Sequence, residues 1–297
     1  MATLGSSRPP SHLIAHLSDP HLIPGERLLG GHIDTVAQFR TCLDRVEGAG
    51  VAFDAVVVSG DIADQGEPRA YELFRELVDP VVERLGAQLV VTGGNHDERG
   101  PLARGIYGRD TADPQDTVTW VRGLRIIDVD TALPGYHHGS LSEAQFDWLA
   151  NELGTPAEHG TLLVMHHPPI IYRSPVMQLL DFDEPARLAA LLADTDVRGI
   201  LSGHLHVTTF GTLARIPVFV AGGVSYVDDV GVPGDDLMAV DGPQSWNLVE
   251  VHADQVVATV VPVEQHKTWP ALPDGVMEYM ATVPVEDRRE VFSKKRS

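Results

Sequence analysis

The chain has 297 residues, of which 43% are hydrophobic and 22% are charged, and its formal net charge is −20. Because so acidic a protein repels the phosphate backbone of a long nucleic acid, we expect no nucleic acid polymer as a partner. A small anion can still bind if metal ions supply positive charge locally. The single cysteine, Cys42, excludes a disulfide within the chain and a cysteine-rich zinc site.

Residues 1–11 contain serines and prolines and predict a disordered lead-in. They have no basic stretch followed by a long apolar core, so we expect no signal peptide. The longest apolar runs, such as 256–263, fall far short of the about 20 residues that span a bilayer. These features predict a cytoplasmic protein without a transmembrane segment.

Hydrophobic periodicity predicts alternating strands and helices over the first two thirds of the chain. The predicted helices are 35–47, with Asp34 as its N-cap, a long helix that Pro68 opens and Gly86 ends, a helix that begins at Ser142, and 185–193. Residues 98–116 show no periodicity and are expected to be irregular. The predicted strands in this part of the chain are 12–17, 55–59, 88–92, 118–121, 124–129, 161–165 and 197–201.

After Thr208 the pattern changes to strands without helices, at 208–213, 217–220, 246–252 and 255–263. No linker separates two domains, so we expect one catalytic domain at 12–263. Residues 264–297 predict a polar tail with one or two helical turns, and an arm that packs on a partner subunit is the alternative. Alternating strands and helices followed by antiparallel strands indicate an α/β fold with helices covering the sheet faces.

Five polar clusters each follow a predicted strand. Because ligands bind at the carboxyl ends of the strands in open α/β sheets, we expect these clusters to meet at one site. They supply histidine, aspartate and asparagine but no thiolate, a mixture that suits Mn, Fe, Zn or Co better than Ca or Mg. The candidate metal ligands are Asp19, His21, Asp61, Asn95, His166, His204 and His206.

Seven ligands are too many for one ion, whereas two ions that share a carboxylate use them well. Two ions about 3.5–4 Å apart can clamp a phosphate, activate a bridging water and stabilise an in-line displacement. The sequence therefore predicts a dinuclear metal centre that acts on a phosphate ester.

The order Asp-x-His, Gly-Asp, Gly-Asn-His-Asp, His, Gly-His-x-His resembles the calcineurin-like metallophosphoesterases over residues 13 to 260. The resemblance implies a four-layer α/β/β/α sandwich of two mixed sheets flanked by helices, with the dimetal site at one edge. In that family, the residues that match Asp19, His21, Asp61 and His206 hold the first metal.

The same resemblance implies that the second metal is held by Asp61, as the bridge, together with Asn95, His166 and His204. It further implies that His96 lies near the substrate phosphate and acts as the general acid. We therefore take His96 and Asn95 as catalytic candidates and Asn95, His96 and His206 as candidate substrate contacts.

Within the family, the chain resembles the bacterial class III cyclic nucleotide phosphodiesterases at residues 16–22, 60–68 and 201–206, with further matches at 134–139 and 166–169. Purple acid phosphatases carry a metal-binding tyrosine where this chain has Asp64. Protein serine/threonine phosphatases have Asp-Arg-Gly where this chain has Asp64-Gln65-Gly66, and glutamate where it has Asp97. The chain therefore resembles neither group. The expected reaction is hydrolysis of cyclic AMP and cyclic GMP to 5′-nucleotides by a metal-bridging hydroxide, with Mn and Fe favoured over Zn.

Several alternatives stay open. A broader phosphodiesterase that acts on 2′,3′-cyclic nucleotides or glycerophosphodiesters would use the same core. A scaffold protein that lost catalysis is disfavoured, because every ligand and His96 are present. His167 competes with His166 as a ligand, and His137 and His138 either line the mouth of the substrate site or lie in an exposed loop. Dimers are common among proteins that the chain resembles, so a homodimer is a further expectation.

Overall fold

The computed structural model describes residues 9–232 and 237–294, so residues 1–8 of the predicted lead-in lie outside the described residues. Thirteen strands are defined in this part of the chain. They are β1 (His12–Leu17), β2 (Ala55–Ser59), β3 (Gln88–Thr92), β4 (Thr117–Val121), β5 (Leu124–Val129), β6 (Thr161–Met165), β7 (Val197–Ser202), β8 (Thr209–Leu213), β9 (Ile216–Val220), β10 (Val227–Asp228), β11 (Ala239–Val240), β12 (Ser245–Val251) and β13 (Val256–Pro262).

The helices follow the strands of the first two thirds of the chain and then recur at its end. The helices in the described residues are α1 (Thr35–Glu47), α2 (Pro68–Leu85), α3 (Arg99–Tyr107), α4 (Glu143–Glu152), α5 (Pro185–Leu192), α6 (Val276–Thr282) and α7 (Val285–Ser293). A short 3₁₀ turn, Met177–Leu179, lies between α4 and α5.

Two mixed sheets form the centre of the molecule. The first has the strand order β13-β12-β1-β2-β3, with β1, β2 and β3 parallel and the last two strands of the chain antiparallel. The second has the order β4-β5-β6-β7-β9-β8, with a parallel centre and an antiparallel strand at each edge. Central strands such as β2, with all five residues buried, need apolar side chains on both faces.

Three apolar clusters separate four layers. Phe39 and Phe74, from α1 and α2, pack with the outer face of the first sheet. Val57 and Leu162 belong to a cluster between the two sheets. Phe146, from α4, packs with the outer face of the second sheet. The predicted α/β/β/α sandwich is confirmed.

Helix α3, at Arg99–Tyr107, corrects the expectation that 98–116 is irregular throughout, whereas residues 108–116 form no helix or strand, as predicted. Two glycines and a proline, Gly100, Gly105 and Pro101, lower its intrinsic helix propensity and hide its periodicity. In the fold, a Cβ at Gly105 would lie 2.5 Å from Cβ of Tyr71, so the glycine lets α3 pack closely on α2. A tertiary contact, rather than local propensity, therefore explains this helix.

The C-terminal region has more helix than the one or two turns predicted. Helices α6 and α7 contribute seven and nine residues, and the buried apolar side chains here are Met280 of α6 and Val283, which follows α6. Among the described residues, no helix is both long enough and apolar enough to span a membrane.

A buried arginine connects strands of the second sheet to the segments that precede β6 and β7. Arg125 is 3% exposed and pairs with Asp196 at 2.8 Å. It also donates hydrogen bonds to Thr161 Oγ1 at 2.8 Å and to the carbonyl oxygens of Glu152 and Thr155. One side chain therefore joins β5, β6 and the segments that precede β6 and β7.

We predict that Arg125→Ala lowers the free energy of unfolding by about 3–5 kcal/mol, because it leaves the Asp196 carboxylate without its charged partner. Urea denaturation measures the loss. The matched control is Arg69→Ala, whose ion pair with Glu76 is exposed on both sides and should contribute at most about 1 kcal/mol. Equal losses in the two variants would contradict the assigned role of Arg125.

Candidate dimetal centre

The polar clusters meet at one edge of the sandwich, where the carboxyl ends of five parallel strands converge. Backbone hydrogen bonds join the loops, with Asp19 N donating to Gly60 O at 3.1 Å and Gly203 N donating to His166 O at 3.0 Å. The structure brings together all seven candidate ligands. They lie after β1 (Asp19, His21), β2 (Asp61), β3 (Asn95), β6 (His166) and β7 (His204, His206).

The loops adopt an unusual backbone at the candidate ligands. Positive φ angles occur at Asp19 (56°), His21 (42°), Asp61 (50°), His204 (71°) and His206 (52°). Residues other than glycine seldom adopt this region, and each instance costs of order 1–3 kcal/mol. The folded chain therefore holds these five side chains in place against a local preference.

The Asp61 carboxylate lies at the centre of the cluster and is 2% exposed. Its Oδ2 atom is 3.3 Å from His21 Nε2 and 3.4 Å from His166 Nε2. Its Oδ1 atom accepts a hydrogen bond from the backbone N–H of His96 at 2.8 Å. One oxygen is thus shared by two histidines from different sheets, which is the arrangement that a bridging carboxylate requires.

The first group of side chains combines Asp19, His21 and His206. The Nε2 atoms of the two histidines face each other at 3.1 Å, and Asp19 Oδ1 is 3.4 Å from His206 Nε2. The Nδ1 atoms donate to Asp64 and to the Tyr226 carbonyl, which leaves both Nε2 atoms as ligand atoms directed at the same space. Either a proton or a metal ion must lie between them, and the donor set fits a metal ion.

The second group combines His166, Asn95 and His204. His166 Nδ1 donates to the Ser59 carbonyl at 2.7 Å, which leaves Nε2, 3.1 Å from Asn95 Oδ1, as its ligand atom. The Asn95 amide nitrogen lies 3.0 Å from His137 Nδ1, to which it donates, so its oxygen faces the cluster. His204 Nε2 donates to Leu180 O, which leaves Nδ1 as its available ligand atom. Each of the three side chains therefore offers one ligand atom.

The charge balance of the cluster also favours cations. Burial opposes protonation of His21, but hydrogen bonds to Asp61 and Asp64 outweigh it and raise its pKa to about 10. Burial likewise opposes protonation of His166, and the Asp61 charge raises its pKa to about 9. Buried carboxylates therefore hold positive charge at both histidines, and bound metal ions would supply that charge in place of protons.

His167 has a ring nitrogen within 4.8 Å of ring nitrogens of His166 and His204, and its hydrogen bonds distinguish it from His166. Nε2 of His167 donates to the His137 carbonyl at 3.2 Å, and Nδ1 accepts from the Thr131 hydroxyl at 2.8 Å. Both ring nitrogens are therefore engaged. His167 supports the loop that carries His137, and the geometry favours His166 as the ligand.

Two aspartates that are not candidate ligands hold the ligand loops through hydrogen bonds. Asp64 accepts from His21 Nδ1 at 3.2 Å and fixes the orientation of that ring. Asp97 accepts hydrogen bonds from the backbone N–H groups of Ile62, Ala63 and Gly94. Burial raises the pKa of Asp97 to about 6, and these hydrogen bonds counteract the shift. Asp97 thereby joins the Asp61 loop to the Asn95 loop.

His96 lies half-buried at the rim of the cluster. Its Nδ1 donates to the Asp64 carbonyl at 2.8 Å, and its ring centroid is 4.6 Å from that of His21. No hydrogen bond to Nε2 is found in the described part of the chain. His96 is therefore placed to exchange a proton with a ligand through Nε2.

Sequence reasoning missed Tyr226. Its ring stacks on His206 with centroids 3.9 Å apart and an interplanar angle of 23°, and its carbonyl accepts from His206 Nδ1. A single tyrosine in the irregular segment between β9 and β10 gives no periodic or spacing signal. Its role as a backing for His206 therefore appears only when the chain is folded.

The chain matches the family model described as calcineurin-like phosphoesterase over residues 12–208. It is 42% identical over 255 residues to a cAMP/cGMP dual specificity phosphodiesterase of Mycobacterium tuberculosis, which covers 86% of this chain and 80% of the relative. It is 30% identical over 219 residues to the glycerophosphodiester phosphodiesterase GpdQ of Enterobacter lignolyticus, covering 70% of this chain and 77% of the relative.

Among solved structures, a dimetal phosphatase from Danio rerio superimposes with a TM-score of 0.61 at 13% identity. The match covers 86% of this chain and 98% of that structure, and it bears on the fold alone. The sequence order of the ligands, the sandwich and the family match agree. The chain belongs to the calcineurin-like phosphoesterase family.

Proposed function

We propose that this protein is a dinuclear-metal phosphodiesterase that hydrolyses 3′,5′-cyclic nucleotides, such as cyclic AMP and cyclic GMP, to 5′-nucleotides. The observation that carries the proposal is the Asp61 carboxylate, which two histidines from different sheets share beside the half-buried His96. The 42% identity to a relative named as a cAMP/cGMP phosphodiesterase supports the substrate class.

The chemistry of the donor set fits two metal ions, for which we favour Mn and Fe over Zn. Asp19, His21, Asp61 and His206 would hold one ion. When bound, the pair supplies a water with a pKa of roughly 7 as the nucleophile and positive charge for the phosphate oxygens. The second ion would be held by Asp61, Asn95, His166 and His204.

The side chains at the rim act on the phosphate and on the leaving group. The Asn95 amide nitrogen carries two hydrogens, of which one is donated to His137, so the other can be donated to a phosphate oxygen. His96, held through Nδ1, gives the proton on Nε2 to the departing 3′ oxygen. His206, which Tyr226 backs, is the third proposed contact with the substrate.

A glycerophosphodiesterase is the second candidate, because GpdQ relatives match over most of the chain. The dimetal core alone does not distinguish the two substrate classes, since it acts on the phosphate that both contain. A homodimer stays a prediction from the resemblance.

The test of the substrate class is a side-by-side turnover assay of Mn-loaded protein with 3′,5′-cyclic AMP, 2′,3′-cyclic AMP and glycerophosphocholine. We expect the highest kcat/KM with 3′,5′-cyclic AMP, and 5′-AMP as its product. Asn95→Ala is the control for contaminating activity and should lose most of the turnover. A tenfold or greater preference for either other substrate would replace the first candidate with the second class.

Metal analysis tests the assignment of Asp61 as the shared ligand. We expect wild-type protein, loaded with Mn²⁺ and desalted, to retain about two ions per chain. Asp61→Ala should retain fewer than one ion per chain, because both ions lose a ligand. The strained backbone at this position also loses the carboxylate contacts that stabilise it. Asp147→Ala, which removes an exposed carboxylate from α4, should retain the wild-type content. Wild-type metal content in Asp61→Ala would rule out the bridge.

Replacement of His96 tests the proton donor through the leaving group. We expect His96→Ala to lower kcat for cyclic AMP by about 100-fold or more, because a sugar alkoxide departs poorly without a proton. For methyl p-nitrophenyl phosphate the loss should be far smaller, since nitrophenolate departs without one. His138→Ala, a nearby histidine that pairs with Asp183 at 3.6 Å, serves as the control. Equal losses on both substrates would exclude the acid role.

A further inference from the structure

Several cavities border the loops of the candidate centre. One of about 500 Å³, beside Pro168 and Phe182, has none of the candidate site residues in its wall, and two others adjoin Asn95 and the segment after His206. The first of these two has a volume of about 300 Å³ and lies between the start of α3 and the loop 132–137, with Asn95 and His137 in its wall. The other, of about 240 Å³, lies beside the segment after His206, with Tyr172 and Asp228 in its wall. Both approach the size of small-molecule sites, so volume does not decide which one receives the organic part of a substrate.

The chemistry of a cyclic phosphodiester selects the first cavity. Both ester oxygens of a 3′,5′-cyclic phosphate belong to one ribose, and in-line displacement places the leaving oxygen opposite the attacking water. The ribose therefore lies on the side of the proton donor. His96 has its ring centroid 5.4 Å from that of His137, and His137 and Asn95 line the first cavity only.

The loop 132–137 is fixed at both ends and presents an aromatic ring. An Arg99 N–H donates to Ala132 O at 2.6 Å, and His167 donates to His137 O at 3.2 Å. The turn between them is closed by the hydrogen bond from Tyr136 N to Leu133 O. The Tyr136 side chain is 60% exposed, and its hydroxyl makes no hydrogen bond within the described residues. The ring makes an edge contact with His138, with centroids 5.2 Å apart, and is otherwise largely exposed at the mouth of the cavity.

The charges in this cavity disfavour a second phosphate. Its one arginine, Arg99, pairs with the buried Asp130 at 3.1 Å, and the carboxylates of Asp97 and Glu98 also line the wall. No lysine lines the cavity, and His137, the histidine in the lining, accepts a hydrogen bond from Asn95. An uncharged nucleoside suits this lining better than a dinucleotide or an oligonucleotide.

We propose that the base of a cyclic mononucleotide stacks on Tyr136 in the cleft between α3 and the loop 132–137. This inference rests on the proposed function, and it assigns to that function a specificity-determining residue. Tyr136 recognises the base through its π-face, which any base offers, so the cleft accepts both adenine and guanine.

The experiment compares kcat/KM for 3′,5′-cyclic AMP with kcat/KM for methyl p-nitrophenyl phosphate, which has no base. We expect Tyr136→Ala to lower the ratio of the two by about tenfold, the size of a lost base–aromatic stack. Tyr136→Phe keeps the ring and should keep the ratio. Tyr172→Ala, which removes the tyrosine of the other cavity, is the matched control and should also keep it. Because the Tyr136 side chain is exposed, its removal should not unfold the protein, and circular dichroism of Tyr136→Ala checks that the variant is folded.

The outcomes separate this inference from the function on which it rests. Wild-type protein that cleaves the aryl diester but not cyclic AMP would overturn the proposed function and the inference together. Wild-type protein that cleaves cyclic AMP, with an unchanged ratio in Tyr136→Ala, would overturn the inference alone. A lower ratio in Tyr172→Ala only would place the base in the other cavity. If Tyr136→Ala lost turnover of glycerophosphocholine but kept turnover of cyclic AMP, the inference would be overturned, and the cleft would be a site for a choline cation.

Discussion

The structure of the centre depends on one buried carboxylate that two sheets share. Asp61 and His21 come from the first sheet, whereas His166 comes from the second, and Asp61 Oδ2 lies within 3.4 Å of Nε2 of each histidine. An ionised carboxylate that is removed from water needs compensating charge close by. Protons on the histidines provide it in the isolated chain, and metal ions would provide it in the loaded protein. The same ions would join the two sheets at the edge where the substrate binds, so metal loading and rigidity of the site are linked.

The left-handed backbone at five ligands follows from the same constraint. A strand that ends at the sheet edge would carry its next side chains past the centre, and the turn at Asp19 and His21 brings both back toward Asp61. Hydrogen bonds hold these turns, with His21 N donating to Asp61 O and His204 N donating to Asp19. The strain is therefore maintained by the neighbouring loops. Gly60 makes room for this approach, since a Cβ there would lie 2.3 Å from the His166 ring.

Most of this arrangement could be predicted from the sequence, because its signals are local. Apolar runs such as 55–59 and 88–92 coincide with β2 and β3, and the cap at Asp34 marks the start of α1. Polar residues directly after such runs identify the ligand loops. Helix α3, the backing ring of Tyr226 and the backbone contacts of Asp97 could not be predicted in the same way. Each depends on neighbours that are distant in sequence, and neither periodicity nor residue spacing carries that information.

The acidic character of the whole chain limits what the centre can attract. With a formal net charge of −20, the protein surface contributes no general attraction for an anion, so bound metal ions would have to supply the attraction at short range. Such a site favours substrates with one phosphate and an uncharged remainder, since further phosphates would meet carboxylates rather than cations. The cleft beside Asn95 has the same character, with Arg99 already neutralised by Asp130. The net charge of the chain and the charges that line the cleft therefore favour the same kind of molecule, a small phosphodiester with a single anionic centre.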